Sequence, residues 1–173
     1  MAESDAADIS VRELARRAGV SPNAAYRHFA SKDALLAALA AEGFRRLGAA
    51  GARTNASSVD PNAGLIGYGR AYVDFALRDP ALFRLMFGGR VSADASEELA
   101  TAGAESFGAL QSGVAAAANL PLEHPEVAAI TAYAWALVHG LAHLLLDGQL
   151  DRLAVDRDRL IDAVLAIAAT THR

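Results

Sequence analysis

"VSPNAAYRHFASKDALL", residues 20–36, decides how this chain is read. Two helix-start signals stand close together in it, at Ser21 and Ser31. Each serine offers a side-chain oxygen to the unpaired amides of a first helical turn. Pro22 follows at the first helical position, where a missing N–H costs nothing. Between the caps sit Tyr26, Arg27 and His28, and just after the second comes Lys32, the only lysine in the chain. Upstream, "SVRE" at 10–13 has the spacing of a capping box, with Ser10 capping and Glu13 reaching back. That helix is expected to run to about Ala18 and to stop at Gly19, a residue that takes the left-handed C-terminal position easily. Only Gly19 and Val20 separate it from Ser21. Two short helices joined this tightly form a helix-turn-helix. Ser31 then opens a longer third helix, Lys32 to about Gly48.

Charge is distributed unevenly around this stretch. The net charge of the 173 residues is −4. Residues 9–53 hold eight Lys and Arg (12, 16, 17, 27, 32, 45, 46, 53) against three acids (13, 33, 42), a balance of +5. Residues 54–173 hold eight arginines against fourteen acids, −6, and residues 1–8 add −3. A basic end on an acidic body suits an approach to phosphate.

In a helix-turn-helix the second helix enters the major groove and the first lies across it. Ser21 and the amides beside it then face a backbone phosphate. Tyr26 and His28 offer a hydroxyl and an imidazole, and the Lys32 ammonium acts as a point charge on phosphate. Ser10 and Arg27 belong to the same phosphate set. Base reading falls to Pro22, Asn23 and Ala24 at the helix start, with Arg12 from the preceding helix. Asn pairs with adenine, Arg with guanine, and small apolar groups touch the thymine methyl.

The chain contains no cysteine. Disulfides, thiolate catalysis and cysteine-ligated zinc are excluded, and a reducing cytosol is the simplest setting. No GxSxG, P-loop or HExxH occurs, so no catalytic residue, metal or cofactor is expected. The remainder reads as all-α. The small, polar run "GAAGARTNASSVDPNAG", 48–64, is expected to be a linker. Five more helices follow, near 62–78, 80–88, 94–118, 124–147 and 156–170. Domains of 1–48 and 60–173 result.

Val127 to Leu146 is twenty residues without a formal charge, which is membrane-spanning length. His139 and His143 fall inside it and acids flank it, so a helix buried by its own core and a partner subunit is expected instead. His139, His143 and Asp147 share a helical face at metal-compatible spacing, yet no further histidine lies nearby. A buried or interfacial histidine pair is the expectation.

"SVRELARRAGVSPNAAYRHFASKDALLAALA", from Ser10, closely resembles the DNA-binding domain of the tetracycline-repressor (TetR) family of bacterial transcription regulators. The resemblance implies that Lys32, Ser21, Tyr26 and His28 line the DNA backbone. The family has a further helix before the helix-turn-helix. Only "MAESDAADI" precedes Ser10 here, so that first helix is expected to be missing. "WALVHG", 135–140, resembles a C-terminal subtype with a Trp-His-Gly signature.

The family pairs its reader with a helical domain that dimerises and holds a small molecule. Tyr68, Tyr72, Phe75, Phe83, Met86, Phe87, Phe107, Trp135 and His139 are the candidate pocket residues, suited to an apolar effector. Leu141, Leu144, Leu145, Leu160, Ile161, Val164 and Leu165 are the candidate dimer interface, two helices per subunit forming a four-helix bundle. The function implied is a ligand-responsive repressor, homodimeric and cytoplasmic, on a pseudo-palindromic operator. An effector would shift the 62–78 helix, the Arg78-Asp79-Pro80 corner and the connecting helix. The alternative is a dimeric small-molecule-binding protein with a vestigial reader.

Overall fold

The computed structural model describes residue 29 and residues 31–170. Among the described residues there are six α-helices, one short 3-10 turn and no strand. We label them α1 (Lys32–Ser57), α2 (Pro61–Arg78), α3 (Pro80–Phe87), α4 (Glu97–Ala118), α5 (Pro125–Leu146) and α6 (Arg157–Thr170).

The starts follow the side-chain chemistry of caps. Ser31 accepts from the Ala34 amide at 3.1 Å, and Asp33 in the first turn favours the positive helix end. Asp60 accepts from Asn62, with Pro61 pre-set behind it. Ser96 caps α4 and His124 caps α5. Asp79 closes α2 and Pro80 opens α3, which makes a sharp corner. Asn119 stops α4 in the left-handed region at φ 53°. The helices expected near 62–78, 80–88, 124–147 and 156–170 are found within a residue of those bounds. The one expected at 94–118 starts at Glu97, because Ser96 provides its cap.

The reading of 48–64 as a linker is corrected. Helix α1 continues through Gly48 to Ser57, twenty-six residues in all. The glycines and alanines there are contact points for neighbouring helices. Gly48 faces Ser106 of α4, with room for no more than a tight methyl. Gly51 lies under the ring of Tyr68 from α2, and an added Cβ would overlap that ring. Gly43 likewise receives Met86 from α3. Small residues let helix axes approach closely, and the packing gained offsets the helix-propensity cost of glycine.

Helix α2 is central and touches all five others. One continuous core joins Leu36, Leu47, Tyr72, Val73, Phe83, Leu141, Ile161 and Leu165. Ion pairs fasten the periphery: Arg70 of α2 reaches Asp158 and Asp162 of α6, both at 2.8 Å. Arg84 of α3 meets Asp147 at the end of α5 at 3.0 Å, and Arg45 of α1 bridges to Glu98 of α4. Helix α5 is long and apolar enough to cross a membrane by length and composition. Its inner side, Val127, Thr131, Val138, Leu141 and Ala142, is buried against the rest of the bundle.

Two glycine substitutions with opposite signs test this packing. Gly108, within α4, has no atom within 4 Å of a built Cβ. Gly108→Ala should therefore stabilise by about 0.5–1 kcal/mol. Gly51→Ala, with the same propensity gain, should destabilise by about 1–3 kcal/mol through overlap with Tyr68. Urea unfolding of the two variants measures both; a stabilised Gly51→Ala would refute the close crossing.

Candidate functional site

A cavity of about 950 Å³ lies among the helices, lined from α1, α2, α4 and α5, by Met86 and Phe87 at the end of α3, and by residues of α6 and of the loop after α3. Its size is that of a pocket for a drug-sized organic molecule. The wall is aromatic: Phe44, Tyr68, Tyr72, Phe87, Phe107, Tyr133 and Trp135 all border it. A side chamber of about 190 Å³ shares Phe44, Met86, Val91, Ala93 and Gly103 with it.

The polar atoms of this wall are bonded to one another. The Tyr68 hydroxyl donates to the Ser106 carbonyl at 3.2 Å. The Trp135 indole N–H donates to the Tyr72 oxygen at 3.3 Å, and that oxygen lies 2.8 Å from His139 Nδ1. The Tyr72 oxygen thus joins the indole to the imidazole, with the direction of the Tyr72–His139 bond set by the histidine tautomer. Burial pushes both tyrosine phenols above their ordinary value, so they stay neutral. Burial, then the neighbouring His143, lowers the His139 pKa. The His139 and His143 rings lie 4.6 Å apart between centroids. Phe83 and Phe87 pack on His139 at 5.5 and 4.9 Å.

Six of the nine residues expected at a pocket line this cavity: Tyr68, Tyr72, Met86, Phe87, Phe107 and Trp135. Three do not. Phe83 is 0% exposed, turned into the core behind Tyr72. Phe75 packs half-buried against the same core. His139 stands behind the wall, reached through Tyr72. Sequence reasoning missed Phe44 and Leu47, which come from α1. Reading α1 as a connector that ended at Gly48 hid their role. It also missed Glu126, Ile130, Tyr133 and Leu137, whose spacing marks one face of α5.

Among the seven leucine, isoleucine and valine positions expected between subunits, Leu141, Ile161 and Leu165 are buried within their own chain. They form the inner stripe that α5 and α6 lay on α2. Leu145, Leu160 and Val164 are half-buried, and Leu144 is 44% exposed. The outer sides of these helices carry Ala128, Ala132, Ala136 and Ile167 as well. His139, His143 and Asp147 form no metal cluster among the described residues. Lys32 is exposed at the first position of α1. Ser10, Arg12, Ser21, Pro22, Asn23, Ala24, Tyr26, Arg27 and His28 lie outside the described residues. The expectation of a missing first helix falls outside them too.

Residues 65–168 match the family described as "Tetracyclin repressor-like, C-terminal domain". Residues 1–39 match "Bacterial regulatory proteins, tetR family". No curated protein matches the chain. A solved structure of a protein with unknown function from Rhodococcus sp. RHA1 is 34% identical, with TM-score 0.74, over 98% of this chain and 86% of that one. SCO4313, described as regulatory, is 25% identical, with TM-score 0.68, over 92% and 84% of the two chains. PfmR, a TetR family transcriptional regulator from Thermus thermophilus, has the same fold at 19% identity, with TM-score 0.69, over 93% and 87%.

The lowered His139 pKa has a signed consequence. Below the ordinary histidine value the unfolded chain takes up the proton that the folded chain resists. Stability is then complete above that value and falls as pH drops toward the folded pKa. Thermal melts should weaken through this window, and His139→Gln should flatten that part of the profile. An unchanged slope in the variant would contradict burial of His139 as the source of that dependence.

Proposed function

The chain belongs to the TetR family of bacterial regulatory proteins, and from that membership we propose a ligand-responsive transcriptional repressor that binds a pseudo-palindromic operator as a homodimer. Members of this family are DNA-binding regulators, and the chain is not an enzyme.

The observation that carries this reading is the continuity of α1. Its first residue is Lys32, directly after the helix-turn-helix sequence, and its middle supplies Phe44 and Leu47 to the cavity wall. At 1.5 Å per residue it is a rod of about 39 Å. A molecule pressing on Phe44 and Leu47 moves the start of that rod as well. Arg45 to Glu98, and Gly43 against Met86, couple the same rod to α4 and α3. Two preferred seatings of α1 would then give two separations of the paired readers, and effector binding would favour the one that misfits the operator.

In this reading, phosphates are held by Ser10, Ser21, Tyr26, Arg27, His28 and Lys32, and bases are read by Arg12, Pro22, Asn23 and Ala24. The two-fold interface is the outer side of α5 and α6. Ala128, Ala132, Ala136 and Gly140 recur every fourth residue on α5, and a Cβ built on Gly140 meets nothing within 4 Å. Leu144 and Ile167, 44% and 66% exposed, extend the same apolar surface. Pairing two such surfaces would withdraw them from water in the cytoplasm. The effector is small and largely apolar, matched to the aromatic wall.

Binding of the full-length protein to its own upstream DNA, followed against salt, tests the proposal. Log affinity should fall linearly with log salt. Lys32→Ala should weaken binding to every sequence alike and lower the salt slope by about 1, whereas Asn23→Ala should change sequence preference. Salt-independent or absent binding would favour a small-molecule-binding dimer with a vestigial reader.

A further inference from the structure

The sign of charge along the cavity wall is uniform. Among the described residues, Glu126 is the only one bordering the cavity that bears a formal charge; no lysine or arginine does. Arg90 lies between the lining residues Gly89 and Val91 but is itself exposed and does not line the space. Glu126 sits at the exposed rim, in the first turn of α5.

The hydrogen bonds point the same way. Tyr68 gives its hydroxyl hydrogen to the Ser106 carbonyl. Tyr72 is hydrogen-bonded to His139 at 2.8 Å, and Trp135 gives its indole hydrogen to Tyr72. The Tyr68 hydroxyl and the Trp135 indole N–H are therefore engaged within the protein, and the wall around them is aromatic. Aromatic faces are the negative side of their quadrupole. A buried anion would meet no charge partner and few donors, which is costly. A cation would meet aromatic faces, two phenol oxygens and one carboxylate.

We propose that this cavity takes an amphipathic organic monocation, an alkyl- or aryl-ammonium whose apolar body fills the space among Phe44, Phe87, Phe107 and Trp135. The ammonium group lies toward the Tyr72 and Tyr68 oxygens with the Glu126 carboxylate adding its attraction from the rim, and the side chamber beside Met86 receives a tail end. This rests on the reading of the cavity as an effector site and narrows its chemistry to one charge type.

The test uses the full chain and three probes with one decyl tail: decyltrimethylammonium, decanol and decanoate, each below its micelle concentration. Trp135 is the only tryptophan, so its emission reports occupancy, and calorimetry gives the affinities. The cation should bind about tenfold tighter than either of the others. Glu126→Gln, at an exposed position, should lower cation affinity about threefold and leave decanol unchanged. Decanol or decanoate binding as tightly as the cation would overturn the inference while leaving an effector cavity in place. Cation affinity unchanged in Glu126→Gln would overturn the role given to the rim. No binding of any probe would overturn both this inference and the effector reading beneath it.

Discussion

The ring of Tyr68 lying across Gly51 is the contact on which the rest of the architecture depends. It lets α1 pass close beside α2 where any side chain would hold the helices apart. The Tyr68 hydroxyl then reaches the Ser106 carbonyl on α4, and Ser106 itself faces Gly48 of α1. Three helices are thus fastened at one junction, and the cavity lies alongside it. The junction grips α1 at Gly48 and Gly51, and Met86 meets the same helix at Gly43, so α1 is braced on both sides of Phe44 and Leu47. A helix braced in this way responds to pressure as one body, and its far end begins at Lys32.

The cavity follows from the same interlocking. Its wall is aromatic, and the Tyr68 hydroxyl and Trp135 indole hydrogens are held in bonds to the protein. The Trp135–Tyr72–His139 chain runs from the wall into the core, where Phe83 and Phe87 pack on the imidazole. The wall's polarity is therefore set by residues one layer behind it. His139, a residue that does not line the space, is hydrogen-bonded to the Tyr72 oxygen at 2.8 Å.

How much could be read from the sequence follows from how local each signal is. Caps and proline corners are written within a few residues, so Ser31 and the Asp79-Pro80 break placed their helices correctly. The helix-turn-helix signature at 9–40 is equally local, and the family match over 1–39 agrees with it. The run at 48–57 failed because glycine, alanine and serine serve a loop and a close helix crossing alike. What distinguishes the two is Tyr68, which belongs to the next helix. The cavity was legible in kind, since large aromatics on 68–87 and at Trp135 announced it. Its detail was not. Phe83 and Phe87 are one turn apart on α3, yet one fills the core and the other borders the space, a distinction made only by how α3 is rolled against α2 and α5. The inner stripe of α5 and α6 drew attention to Leu141, Ile161 and Leu165 for the same reason: apolar periodicity says that a face is buried, but not against which partner.

Backbone hydrogen exchange along α1 tests the central claim, that one unbroken helix runs from Lys32 past the cavity residues Phe44 and Leu47 to its anchor on Tyr68 at Gly51, most directly. Amides of residues 48–57 should be protected together with those of 40–47 and should open with them as one unit. Rapid, independent exchange of 48–57 beside a protected 40–47 would restore the linker and contradict the account.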